Sequence, residues 1–385
     1  MRVLRLVPLV LKNARRNLRR TLFTVGGLAV SLFLFTALLT VVSSLDGMLE
    51  RSGRNPIVLV TPKAGWAHIM PESHRGKLER VPGVMRVAPY LFYGGTYGDV
   101  RGPQDSFTSM GTETEVREMW GSQLKIPDAD FECYRKERTG ALVGQQLLAR
   151  FGWTRGQKVK LRGTAWPVDL EFVLCGQADF ETDKSSFVLH RSYLEAALGN
   201  PGYVTMFAVQ VATAGDVAEV SRRITEAFAA TGDPVRAQSQ RQFMEGFLSV
   251  MGDVRGLVRG IAVLVLLAVM LLVANSIAMS TRERTVELAV LKALGFRGAH
   301  IVTLVVGEAL VLGLFAGGIG CGAAYALFGG RGFAIGVGPL SGFSVTPEVL
   351  GWGVVAALVV AVLASALPAL RALRAGVVEG LRHVA

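Results

Sequence analysis

The chain has 385 residues, of which 51% are hydrophobic and only 18% charged. Soluble domains carry about 25% charge, so this chain is too apolar to be dissolved throughout, and disordered, collagen-like and coiled-coil classes are excluded as well. A net charge of +11 raises nucleic acid as a partner, while three cysteines (Cys133, Cys175 and Cys321) are too few for a disulfide scaffold.

Residues 1–20 hold seven basic side chains (Arg2, Arg5, Lys12, Arg15, Arg16, Arg19, Arg20) and no acid, and are predicted as a basic amphipathic helix. Residues 21–45 carry no charge. As a helix they measure about 37 Å at 1.5 Å per residue, longer than the roughly 30 Å hydrocarbon core. That length, with no A-x-A-like site in VVSSLDG, fits a retained signal anchor rather than a cleaved signal peptide. Further runs long enough to span follow at 260–281, at 301–330 with Glu308 as its one charge, and at 349–370.

The predicted fold class is therefore a membrane protein of four transmembrane α-helices, with a large α+β extracytoplasmic domain inserted between spans 1 and 2. The expected segments are a cytoplasmic helix at 1–20, span 1 at 21–45, the extracytoplasmic domain with its stalks at 46–256 and span 2 at 257–280. A cytoplasmic loop at 281–300, span 3 at 301–328, an extracytoplasmic loop at 329–348, span 4 at 349–368 and a cytoplasmic tail at 369–385 complete the chain. Residues 1–20, 280–300 and 368–385 carry +7, +2 and +2, together the whole net charge, whereas 46–259 carries only +1. The positive-inside rule then puts both termini and the 280–300 loop in the cytoplasm, in contact with anionic membrane lipids, and removes nucleic acid as a partner.

Within the inserted segment, Val58–Thr61 reads as a strand and HRGKLERVPGVMRVAPYL as a helix, a turn at Pro82-Gly83 and a strand. ALVGQQLLARFGW (141–153) has the apolar spacing of a helix. VKLRG, VDLEFVLCGQA, SSFVLH and FAVQVAT read as strands, and GDVAEVSRRITEAFAATG as an amphipathic helix with a glycine stop. Apolar residues at Phe243, Phe247, Val250, Met251, Val254 and Val258 predict a helix running straight into span 2, and Leu45, Met48 and Leu49 extend span 1 outward. These are two stalks, or else two ordinary helices ending at the bilayer.

No P-loop, HExxH or CxxC occurs, so no catalytic residue, bound cofactor or metal site is expected in this chain. Asp179 to Asp183 spaces acids at every second residue, but the positions an EF-hand gives to Gly and Glu hold Lys184 and His190; a solvated loop is the reading. Cys133 and Cys175 could pair or stay free, and Cys321 is a small packing residue. Gly313/Gly317 and Gly318/Gly322 form two G-x-x-x-G pairs for close helix packing, unless they only reflect glycine richness. Glu308 lies about 11 Å into span 3 and should face protein or snorkel to the interface, with a role in packing or in coupling. In the 280–301 loop, Val286, Val290, Ala293 and Leu294 form an apolar stripe beside Arg284, Glu287 and Lys292, with Gly295 as helix stop. It reads as a docking helix, or as an interfacial helix without a partner.

RERTVELAVLKALGFRGAHI followed by GEALVLGLFAGGIG resembles the signature of MacB/FtsX-like ABC transporter permeases. NARRNLRRTLFTVGGLAVSLFLF and PALRALRAGVVEGLRH are similar to the two ends of such permeases, and VPGVMRVAPY and ALVGQQLLARFGWTRGQKVKL to a MacB-like periplasmic core. The resemblance implies a non-enzymatic permease of the mechanotransmission type in the bacterial inner membrane, paired with a second permease subunit as homo- or heterodimer. It further implies a coupling helix for a cytoplasmic ABC ATPase, carried by Glu283, Arg284, Glu287, Val290, Leu291, Lys292, Leu294 and Gly295. The expected ATPase is a separate polypeptide holding ATP-Mg, and a periplasmic adaptor or lipoprotein is a further candidate partner. The expected activity is export or extraction of a periplasmic or lipid-linked substrate; the alternative is an FtsX-like regulator that activates a cell-wall hydrolase.

Overall fold

A computed structural model describes residues 18–65, 68–98, 107–180, 183–250, 252–329 and 345–374. The expected helix over residues 1–17, the loop at 330–344 and the tail from 375 lie outside the described residues. The chain forms two units, one made of the apolar helices and one of residues Ser44–Asp253.

Helix α1 spans Leu18–Gly53 and continues eight residues beyond the uncharged run. Leu45, Met48 and Leu49 on this extension are buried within the inserted domain. That domain begins with β1 (Ile57–Pro62), β2 (Met70–Pro71), α2 (His74–Leu78), β3 (Val84–Phe92), β4 (Gly95–Thr96) and β5 (Ser109–Thr112). Next come α3 (Val116–Trp120), β6 (Leu124–Lys125), α4 (Asp128–Lys136), β7 (Gly140–Val143), α5 (Gln145–Phe151), β8 (Lys158–Gly163) and β9 (Asp169–Gln177). It closes with β10 (Asp179–Phe180), β11 (Phe187–His190), α6 (Arg191–Ala197), β12 (Tyr203–Val204), β13 (Met206–Val211), α7 (Val217–Phe228), β14 (Val235–Ser239) and α8 (Gln240–Val250).

Ten of the strands form one mixed sheet in the order β14-β1-β13-β3-β5-β11-β7-β9-β8-β4. The β5–β11 and β7–β9 pairs are parallel, the rest antiparallel. Sequence dictates the exposure of each strand. IVLVTP in β1 is buried at every position, whereas KVKLRG in β8 alternates, with Val159 and Leu161 inward and its basic residues outward. At one end Val217, Val220, Ile224 and Phe228 of α7 recur at helical spacing and bury against Val58, Val60, Phe207 and Val209. At the other end Trp153, Leu161, Phe172, Phe187 and Leu189 form a second core. Each such side chain contributes about 1.5–3 kcal/mol on full burial.

Two expectations change. Residues 141–153 are not one helix: Leu142 and Val143 pair with Val188 and Phe187 in the sheet, and the helix starts only at Gln145. Gly144 between them lies against the Lys184 carbonyl, where any Cβ would collide, so sheet pairing overrides helical periodicity. The helix, turn and strand expected over residues 74–91 are present as α2, a turn at Gly83 (φ +97) and β3. The helix from Phe243 does not run into span 2: Gly252 adopts φ +85, its N–H bonds to the Ser249 carbonyl, and the next helix restarts at Val254. Cys133 of α4 and Cys175 of β9, left open by the sequence, form a disulfide. In the Asp179–Asp183 loop, Asp179 accepts the Gln145 N–H and Asp183 the Ser185 N–H.

The other unit holds α1 up to Ser43 with α9 (Val254–Glu283), α10 (Thr285–Ala293), α11 (Gly298–Phe328) and α12 (Pro347–Arg374). Its four long helices have mean hydropathies of 2.1 to 2.8 over their most apolar windows, enough to cross a bilayer. Leu28, Leu32, Val269, Val273, Ala309, Ala316, Ala357 and Ala361 form the shared core. Small residues set the approach distance. A Cβ on Gly313 would lie 3.0 Å from that of Ala361, one on Gly317 3.2 Å from that of Ala357, and one on Gly320 against the Ala29 carbonyl of α1. Gly318 and Gly322, expected as a packing pair, face open space in this chain.

Candidate functional site: the short helix between two spans

α10 is nine residues long and has three different sides. It is bounded by Arg284, whose ψ of 17° breaks it from α9, and by Gly295, whose φ of +88 turns the chain toward α11. The Phe296 N–H then reaches the Leu291 carbonyl at 3.1 Å, closing the helix end. Glu283, placed in the docking helix by its sequence context, belongs instead to the last turn of α9.

One side faces α11. Nη1 of Arg284 donates to Oε2 of Glu308 at 3.0 Å, and Ser280 Oγ donates to Oε1 at 3.3 Å. Both charged side chains are 18% exposed, so the pair is largely withdrawn from solvent. Glu308 therefore faces protein, which removes the cost of an unpaired carboxylate in the apolar span. Leu288 and Leu291 continue this side toward Leu304 and Val305 around a cavity of about 70 Å³.

A second side faces α12. Lys292 Nζ donates to the carbonyls of Ala372 and Leu373, both at 3.0 Å. These carbonyls lie in the last turn of α12, where backbone acceptors lack helical partners and the helix dipole attracts a cation. Lys292 was expected at the docking edge; the orphan acceptors draw it inward. Ala289, 4% exposed, packs on the same side.

The third side is open. Val290 is 43% exposed, Leu294 71% and Phe296 40%, with exposed Glu283, Glu287 and Arg297 around them. Val290 and Leu294 are one helical turn apart and share a face with Glu287. Of the expected stripe, Val286 is half-buried and Ala293 exposed. The structure thus joins Arg284 to Glu308, keeps Val290 and Leu294 outward, and assigns Gly313 and Gly317 to packing within the chain. The sequence did not reveal Ser280, Gly320 or the Arg284 pairing. A lone acid in a span and an arginine at a helix break were the available signals for that pair.

Comparison with known proteins agrees with this architecture. The profile of the MacB-like periplasmic core domain matches residues 21–227, and that of the FtsX-like permease C-terminal domain matches 259–377. An uncharacterised ABC transporter permease of Methanocaldococcus jannaschii is 22% identical over 341 residues, 83% of this chain and 82% of that protein. Among solved structures, the extracellular domain of the noncanonic ABC-type transporter YknZ from Gram-positive bacteria is 12% identical with a TM-score of 0.35, covering 48% of this chain and 100% of that one. The periplasmic region of MacB from Actinobacillus actinomycetemcomitans is 10% identical with a TM-score of 0.35, covering 51% and 94%. The MacB core match alone covers more than half of the chain, and with the C-terminal match it establishes that this protein belongs to the ABC transporter permeases of the MacB/FtsX type.

Proposed function

We propose that this permease couples ATP-Mg hydrolysis in a separate cytoplasmic ABC ATPase to movement of its inserted domain, for export or extraction of a periplasmic or lipid-linked substrate. In this reading the membrane is the bacterial inner membrane, both termini and α10 are cytoplasmic, and a second permease subunit completes the transporter. The chain itself moves force and performs no chemistry. The observation that carries the proposal is the three-sided environment of α10. Arg284–Glu308 and Lys292 fasten it to α11 and α12, while Val290, Leu294 and Phe296 remain open on the remaining side. A helix fastened this way passes a push on its open face to both spans.

An apolar patch ringed by charge also suits a protein groove. Each fully buried Val or Leu contributes about 1.5–3 kcal/mol, so two together give a usable anchor. The test is co-purification of the ATPase with the wild-type chain, Val290→Asp and Leu294→Asp. Both variants should lose the ATPase while keeping the Cys133–Cys175 disulfide of the inserted domain. Unchanged co-purification and unchanged coupled ATP hydrolysis in both would overturn the assignment.

A further inference from the structure

Behind α10, opposite its open face, lies a cavity of about 180 Å³ between the ends of α9 and α12. Its inner wall is apolar, formed by Ala289, Pro368 and neighbouring small residues. Its rim carries the cationic side chains of Arg282, from the last turn of α9, and Arg371, from the last turn of α12. Lys292 adds a third positive charge in the wall, and among the described residues no carboxylate lines the cavity. Among the described residues, no carboxylate pairs with either guanidinium. Lys292 already serves the carbonyl end of α12, which lessens the negative potential that this helix end would otherwise direct at an incoming anion.

Two arginines at the rim of an apolar cavity, at the boundary of the membrane spans, match the chemistry of a phosphate ester with an apolar body. Guanidinium groups bind phosphate oxygens bidentately, and basic pockets between spans suit phospholipid headgroups. We propose that this cavity binds the phosphate of an anionic phospholipid, with Arg282 and Arg371 holding the phosphate oxygens and the wall beneath them covering the first carbons of the lipid. Thr285 and Ala289 put α10 itself in that wall, so a bound lipid braces the helix from the side its open face does not use. This site is independent of the ATPase assignment: it requires only the spans and α10.

The experiment uses the full chain in phosphatidylcholine nanodiscs, with thermal unfolding and native mass spectrometry as readouts. Phosphatidylglycerol is titrated into the nanodiscs in one arm, and inorganic phosphate is added to the buffer in the other. Wild type should retain phosphatidylglycerol through delipidation and unfold at higher temperature with it. Arg282→Gln and Arg371→Gln should each weaken retention about tenfold, equivalent to about 1.4 kcal/mol. Arg374→Gln removes a neighbouring charge outside the cavity and should bind as wild type does. Loss of equal size in Arg374→Gln would mean a diffuse basic surface, and retention unchanged in both cavity variants would mean no site; either overturns the proposal. Full stabilisation by inorganic phosphate alone would overturn the lipid as its source. Unfolding temperatures of all variants in pure phosphatidylcholine identify any that simply fold poorly, and double replacement by lysine, which keeps charge but loses the fork, should restore binding only in part.

Discussion

The guanidinium of Arg284, at the break between α9 and α10, meets the carboxylate of Glu308, inside α11, at 3.0 Å. Arg284 follows the last residue of α9, and Ser280 of the same helix donates to the other carboxylate oxygen. One acid in the apolar span thus fixes both the end of one span and the start of the short helix. Hydrogen bonds to charged groups are worth about 1.5–3 kcal/mol net, and removing one partner of a sheltered pair costs more than removing both. Glu308→Gln should therefore retain the fold but lower coupled ATP hydrolysis, and Arg284→Gln should do the same. The exchange Arg284→Glu with Glu308→Arg should recover more activity than either single reversal. Additive losses across the cycle would show that the two residues act separately.

Glycines in α11 give a second contrast. A Cβ on Gly320 would collide with the Ala29 carbonyl and lie 3.0 Å from the Phe33 amide, whereas one on Gly318, two residues away, would meet open space. Gly320→Val should separate α1 from α11 and destabilise the helix unit by about 1–3 kcal/mol, the usual range for overpacking. Gly318→Val should leave the stability of the single chain unchanged. Equal unfolding temperatures for the two variants in detergent would contradict this packing.

What was readable in the sequence follows from how local each signal is. Four uncharged runs, the alternation of KVKLRG and the helical spacing of Val217, Val220, Ile224 and Phe228 each report on a single element and its burial. β14 (VRAQS) escapes a sequence reading because it is a polar edge strand, paired among the described residues with β1 alone. Leu142 and Val143 fit both periods, and only the partner strand β11 decides between them. In α11 every glycine looks equivalent in sequence; which ones face Ala29 or Ala357 depends on helices remote in the chain. At α10 the open stripe could be read, but the inward turn of Lys292 could not, since its acceptors lie 80 and 81 residues away.

The Cys133–Cys175 bridge ties α4 to β9 across 42 residues. The chain-entropy account gives about 4 kcal/mol for closing a loop of this size, and native disulfides in such domains are worth about 2–5 kcal/mol. Replacing both cysteines with alanine should lower the unfolding temperature of the inserted domain by several degrees, followed by limited proteolysis. Thiol labelling of the unreduced native protein should find neither residue reactive. Ready labelling of Cys133 without reductant, or an unchanged proteolysis midpoint in the double variant, would count against the bridge.

Acid should weaken the inserted domain through its histidines. His190 is 7% exposed, its ring stacks on Tyr134 at 4.0 Å, and its Nε2 donates to the Tyr134 carbonyl at 2.6 Å. Burial pushes its pKa below the ordinary value, against the opposing influence of that carbonyl and of Glu137. His74, set edge-on to Phe228, is likewise lowered by burial, with Asp233 opposing and Lys77 assisting. A depressed histidine pKa means that the unfolded chain binds the proton more readily than the folded one. Stability is therefore fully present above about pH 6.5, the unfolded value, and falls as pH drops from there toward the folded pKa. Glu195, whose pKa burial raises, acts in the opposite sense, so it cannot supply this loss. Unfolding followed by proteolysis from pH 7.5 to 5.5 should show wild type losing stability, and His190→Gln with His74→Gln starting lower but changing less. A double variant whose pH slope equals that of wild type would rule the two histidines out as its source.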